Sequence, residues 1–199
     1  MSDQDIGFGT DDYQIAVYIA NKPPVSEYQQ LAQLTALSTG EISHIGQHCG
    51  NGWRKVFNVY AKLLYALDKQ QFHFASLAPT WQKYRDDFLL QAYSKTSLLF
   101  SAPVLKPIKN NANQNVVHII MGRTYAKSLL STGALNIDLI WLDNEFAFNR
   151  SQRVIVCPYF DYRQLSNLKI KTLVNLILSL QNQVISRASV GSMCEPESF

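Results

Sequence analysis

A chain of 199 residues, 47% apolar and 17% charged, is long enough to bury one sizeable core and too apolar to be disordered. It has no run of about 18 apolar residues, and its acidic, polar start (MSDQDIGFGTDD) lacks a secretory pattern, so neither a spanning helix nor an export signal is expected. The net charge of +3 is split along the chain: residues 1–50 carry one base and six acids, 51–110 nine and three, and 111–199 eight and six, so the middle attracts phosphate.

Residues 1–12 read as a mobile lead-in. Gln14–Ala20 (QIAVYIA) is a short apolar run of β-formers closed by Asn21-Lys22-Pro23-Pro24, a buried strand followed by a loop. Ser26–Leu37 has helical spacing. Ser38-Thr39-Gly40-Glu41 has the form of a capping box, and a helix over 39–49 follows. Gly50-Asn51-Gly52 breaks the chain. Trp53–Leu67 is the clearest helix, with Val56, Val59, Tyr60, Leu63, Leu64 and Leu67 on one face. A further helix is predicted over 81–92, then a strand over 97–100 that ends in Ser101-Ala102-Pro103. Residues 106–115 read as a polar loop. Val116–Met121 is a strand, and Gly122 opens a helix to about Leu130. Asp138–Leu142 and Val154–Cys157 complete the strands. Leu168–Ile185 is the last helix, and residues 187–199 read as a loose tail.

Strands alternate with helices, and the strands are continuous apolar runs rather than alternating ones. That is the pattern of a parallel sheet covered on both faces. The expected fold is a three-layer α/β/α sandwich around a central, mostly parallel sheet, one domain spanning residues 13–186. In such sheets ligands bind outside the carboxyl ends of the strands. The segments to watch are therefore 21–24, 101–103, 122–124 and 157–163.

The motifs GxGxxG, GxxxxGK[ST], HExxH and GxSxG are all missing, which disfavours dinucleotide enzymes, P-loop NTPases, zincins and serine hydrolases. Cys49, Cys157 and Cys194 are odd in number and far apart, so no disulfide framework is expected and the compartment reads as a reducing cytoplasm. No cofactor is implied. His44 and His48 share a helix face, but no nearby carboxylate supplies a third ligand, so no metal is expected. Arg54 and Lys55 follow a glycine turn at a helix start, where backbone amides and cations favour anions. Cys157-Pro158-Tyr159-Phe160-Asp161-Tyr162-Arg163-Gln164-Leu165 crowds three aromatics, an acid and a base beyond a strand. Aromatics there can stack bases and Arg163 can hold phosphate; the alternative is a packed loop with Asp161 paired to Arg163.

The order of these motifs resembles the uracil-DNA glycosylase superfamily. Leu98–Pro103 is similar to the strand that ends in a base-reading asparagine, with Ser101 at that place. Val116–Lys127 is similar to the next strand, its glycine and its helix. Val154–Leu165 resembles the last strand, the His-Pro-Ser motif and the DNA-probing loop, with Cys157 in the histidine's place. The resemblance implies a base flipped out of DNA and cleaved from its sugar by a positioned water. It would assign Asn21 to the water and Cys157 to the leaving base. Ser101, Tyr159 and Asp161 would lie at the base. Arg54, Lys55, Arg123, Tyr162, Arg163 and Leu165 would lie along the DNA. A DNA partner gains weight if Arg54, Lys55, Arg123, Arg163, Lys169 and Lys171 lie on one face near the strand ends, and loses weight if they scatter. The competing reading is a small-ligand-binding or protein-interaction domain on the same scaffold, without catalysis.

Overall fold

The computed structural model describes residues 4–105 and 116–190. The elements in chain order are β1 (Gly7–Gly9), β2 (Ile15–Tyr18), α1 (Ser26–Gln29), β3 (Leu34–Thr35), α2 (Glu41–His48) and α3 (Asn51–Tyr65). They continue with α4 (Trp81–Asp87), β4 (Thr96–Leu99), β5 (Val117–Met121), α5 (Arg123–Ser131), β6 (Ile140–Trp141), β7 (Ala147–Asn149), β8 (Val154–Cys157) and α6 (Asn167–Val190). The strands form one sheet in the order β3-β1-β4-β2-β5-β8-β7-β6. Its centre, β4-β2-β5-β8, is parallel throughout, and β1, β7 and β6 are antiparallel to their inner neighbours.

The central strands are buried on both faces, which is why they read as continuous apolar runs. Ile15, Val17, Ile119, Ile155 and Cys157 face the layer made by α2, α3, α4 and α6. Ala16, Tyr18, Ile120, Val154 and Val156 face α5, through Ala126 and Leu129. The chain is therefore a three-layer α/β/α sandwich. Helix α3 anchors the thicker side: Trp53, Val56, Phe57, Tyr60, Leu63 and Leu64 recur at helical spacing and are all buried. Burying each such large side chain contributes roughly 1.5–3 kcal/mol. The Tyr60 hydroxyl, fully buried, donates to the Ile15 carbonyl at 3.2 Å or the Ser97 carbonyl at 3.1 Å, so one phenol spans β2 and β4. Among the described residues no helix is long and apolar enough to cross a membrane.

Several expectations are corrected. The lead-in contains β1, a buried strand rather than a mobile segment. A Cβ at Gly7 would lie 2.3 Å from the Leu98 carbonyl oxygen, and one at Gly9 2.1 Å from that of Thr96, so only glycine lets β1 reach β4. The helix over 26–37 stops after Gln29, and Leu34–Thr35 pairs with β1 as β3. The helix over 81–92 stops at Asp87. Beyond it Leu90, Tyr93 and Lys95 adopt left-handed φ values of 59°, 64° and 55°, which turn the chain into β4. β7 was not anticipated at all. The Glu41 carboxylate does reach back to the Ser38 amide at 2.9 Å, but the Ser38 hydroxyl donates to that same carboxylate instead of capping the helix. The loop 106–115 and residues 191–199 lie outside the described residues; α6 itself runs on to Val190, into the segment expected to be tail.

Candidate functional site at the strand carboxyl ends

Strand order places a crevice in the sheet. From β2 the chain crosses over the α2–α4 face to reach β4, while from β5 it crosses over the α5 face to reach β8. Connections that leave neighbouring strands on opposite faces open a gap between their carboxyl ends. A cleft of about 630 Å³ lies there. Ala20 and Asn21 line it from the end of β2, Arg123 and Thr124 from the start of α5, and Pro158, Tyr159 and Gln164 from the segment after β8. Asn144 and Glu145, from the turn before β7, close one side.

Each wall is held by local chemistry. Gly122 joins β5 to α5 at a φ of 98°, a conformation that favours glycine, and its amide donates to the Cys157 carbonyl at 2.9 Å. Arg123 is fixed: its Nη1 donates to the Asn144 carbonyl at 3.1 Å, and its guanidinium lies 5.5 Å from the Trp141 ring centre. Glu145 is paired with Lys169 at 2.6 Å, which neutralises the carboxylate within the cleft. Burial, with Asp161 nearby, pushes the Tyr159 phenol up, so it is neutral at pH 7 and offers a ring face and a hydroxyl. The cleft is thus amide-rich and aromatic, with Glu145 matched by Lys169 and Arg123 held by a carbonyl and a ring rather than by a carboxylate.

The sequence-derived site divides. Asn21, Arg123 and Tyr159 share the cleft. Ser101 does not line it; its Oγ accepts from the Ile6 amide at 3.2 Å and tethers the chain entering β1. The placement of Cys157 as a catalytic residue is corrected. Its side chain follows the parity of Ile155 into the opposite core, where it is fully buried and its Sγ donates to the Pro158 carbonyl at 3.3 Å. Burial pushes that thiol well up, so it is neither nucleophile nor donor to the cleft. Leu165 is likewise fully buried, so it cannot wedge into a duplex.

Asp161 pairs with Lys55, not with Arg163. The Lys55 Nζ lies 2.7 Å from its Oδ2 and 4.9 Å from the centre of the Tyr162 ring. The Arg163 backbone amide donates to Oδ1 at 3.0 Å, closing a tight turn. Lys55 as donor holds the Asp161 carboxyl below the ordinary carboxylate value. This cluster braces the segment carrying Tyr159 and Gln164 against α3. Tyr162 and Arg163 remain exposed. Of the six cations, Arg123 lines the cleft, Lys55, Arg163 and Lys169 belong to segments around the strand ends, Lys171 is exposed on α6, and Arg54 lines a separate cavity between helices. His44 and His48 stack ring on ring at 4.0 Å, with His48 Nδ1 turned to the His44 carbonyl at 2.9 Å. Among the described residues no three potential ligands cluster to hold a metal ion.

Thr124 and Gln164 lie in segments that the sequence marks beyond β5 and β8, though nothing there singles them out; Asn144 and Glu145 carry no signal without β7.

No curated protein and no solved structure matches the chain. One family, described only as a family of unknown function (DUF6942), matches residues 6–178. That stretch contains every strand of the sheet and every wall of the cleft, and the chain belongs to the DUF6942 family.

Proposed function

We propose that the protein binds a nucleobase presented from DNA, in the cleft at the strand carboxyl ends, as a divergent relative of the uracil-DNA glycosylases. The observation that carries this reading is the convergence of Asn21, Arg123 and Tyr159, from the ends of three different strands, on one cleft. A flipped base is flat, neutral and edged with donors and acceptors. Tyr159 offers a face for stacking, and base–aromatic stacking is worth about 1–3 kcal/mol. Asn21, Asn144 and Gln164 offer amides, which donate and accept at once. Glu145 is tolerable beside a neutral base because Lys169 matches it, and the exposed Tyr162 and Arg163, in the segment that carries Tyr159, are available to flanking nucleotides. Binding is the core of the proposal. Excision would rest on a water held by Asn21, because Cys157 has no path to the leaving base.

The second reading, a small-ligand site with no DNA, is favoured by one observation: two of the cations near the strand ends are already neutralised, Lys55 by Asp161 and Lys169 by Glu145. Fluorescence anisotropy with oligonucleotides containing uracil, an abasic site or only normal bases separates the two. DNA binding should weaken steeply between 50 and 200 mM salt, a range in which a few phosphate contacts change affinity by orders of magnitude. Tyr159→Ala should weaken it by roughly fivefold or more, the lower end of the stacking estimate. Absence of salt-dependent binding to every oligonucleotide would overturn the proposal, and binding of free nucleosides alone would establish the second reading.

A further inference from the structure

A second cavity, of about 430 Å³, opens between α2, α3 and α4 and shares no lining residue with the strand-end cleft. Its size is in the range of small-molecule sites. A Cβ at Gly46 of α2 would lie in ordinary contact with Arg54 of α3, 3.5 Å from its Cβ and 3.7 Å from its Cα. Ile42, Ser43 and Gly46 line the α2 side of the cavity. Gln47 and Asn58 add amides to the walls, and Arg54 and Arg85 add two guanidiniums; among the described residues no carboxylate lines the cavity.

The two arginines differ. Arg85 is held rigidly: Nε and Nη2 donate to the two oxygens of Asp86 at 2.7 and 3.0 Å, Nη1 donates to Asn58, and the group lies 5.8 Å from the Trp81 ring centre. Asp86 matches its charge. Among the described residues no carboxylate is within ion-pair distance of Arg54. The cavity therefore pairs a fixed guanidinium, already matched by Asp86, with an unmatched one, a combination that suits a carboxylate or phosphate group.

We propose that this cavity binds a small organic anion, its phosphate or carboxylate between Arg54 and Arg85 and its body in the space over Ile42 and Gly46. The site is independent of the nucleobase reading and stands or falls separately. Isothermal titration at constant ionic strength, with glycerol phosphate as the phosphate probe and succinate as the carboxylate probe, tests it. At least one probe should bind the wild-type protein, and which one does identifies the anionic group. Arg54→Glu, an exposed change on α3, should weaken binding tenfold or more. Gly46→Leu should do the same with no change of charge, because its side chain crowds Arg54 at the cavity wall. Arg123→Glu, in the strand-end cleft, should leave binding within twofold. Failure of both probes to bind would overturn the proposal. So would binding unchanged by Arg54→Glu and Gly46→Leu, or binding lost only in Arg123→Glu.

Discussion

Lys55→Met removes the ammonium that braces the segment after β8 against α3, and its cost can be worked from the contacts. The pair is 2.7 Å apart, and the two side chains are 14% and 20% exposed, so water screens it only in part. Exposed ion pairs are worth up to about 1 kcal/mol, and hydrogen bonds to charged groups about 1.5–3. An intermediate coupling of about 1–2 kcal/mol is expected. Single substitutions overstate it, because Lys55 also packs on Tyr162 and Asp161 also accepts from the Arg163 amide. A double-mutant cycle with Lys55→Met and Asp161→Asn isolates the pair. The pH dependence follows from the lowered Asp161 carboxyl, whose ordinary value is 3.8. The unfolded chain takes up that proton before the folded one does. The stabilisation is thus fully present above about pH 4 and is lost as pH falls through the lower folded value. Urea unfolding of the four proteins at pH 7 and at about pH 2.5 should show the coupling at the first pH and most of it gone at the second. A coupling below about 0.3 kcal/mol at pH 7, or one equal at both pH values, would refute the reasoning.

Two further outcomes are expected. His118 is held neutral by burial, which lowers it from 6.5 to about 4, and its Nδ1 is 2.8 Å from the Tyr18 hydroxyl. The folded ring therefore stays unprotonated while unfolded chains protonate near 6.5. Its stabilising effect is complete above that value and declines as pH falls toward about 4. Nuclear magnetic resonance titration of the ring should give a midpoint far below 6.5, and a normal midpoint would contradict its burial. The Cys157 thiol should resist maleimide in the native protein and react in urea, while Cys49, half-buried, labels before it; peptide mass spectrometry reads both, and rapid native labelling of Cys157 would place it at the surface.

The inner strands were legible because burial on both faces leaves an unbroken apolar run, as in Ile15–Tyr18 and Val154–Cys157. The edges were not. β1 reads Gly-Phe-Gly, and glycine signals a loop unless the neighbouring carbonyls it must clear are known. Helical spacing over 26–37 was real, yet Leu34–Thr35 gains more by pairing with β1 than by extending a helix of four residues. The site was half legible for a related reason. The rule that ligands lie beyond strand ends finds Asn21 and Tyr159 without coordinates. Which way Cys157 points depends on parity along β8 relative to a cleft whose side of the sheet is set by distant crossovers. Asp161 and Arg163 are close enough in sequence to suggest a pair, but the tight turn gives Asp161 the Arg163 amide and leaves its other oxygen to Lys55, on another helix.

The position of β1 has a temporal consequence. Ile6 and Ser101, which hydrogen-bond at its entry, are 95 positions apart, and β1 lies between β3 and β4. During synthesis its glycine-lined edge must wait for β4 to emerge before the ladder between them can form. The first strand of this sheet to be made is thus among the later ones to find its place. Until it docks, β4 presents an open hydrogen-bonding edge, the kind of surface that recruits other chains. Changes at Gly7 or Gly9 should therefore show first as aggregation during expression, before any effect on the folded molecule can be measured.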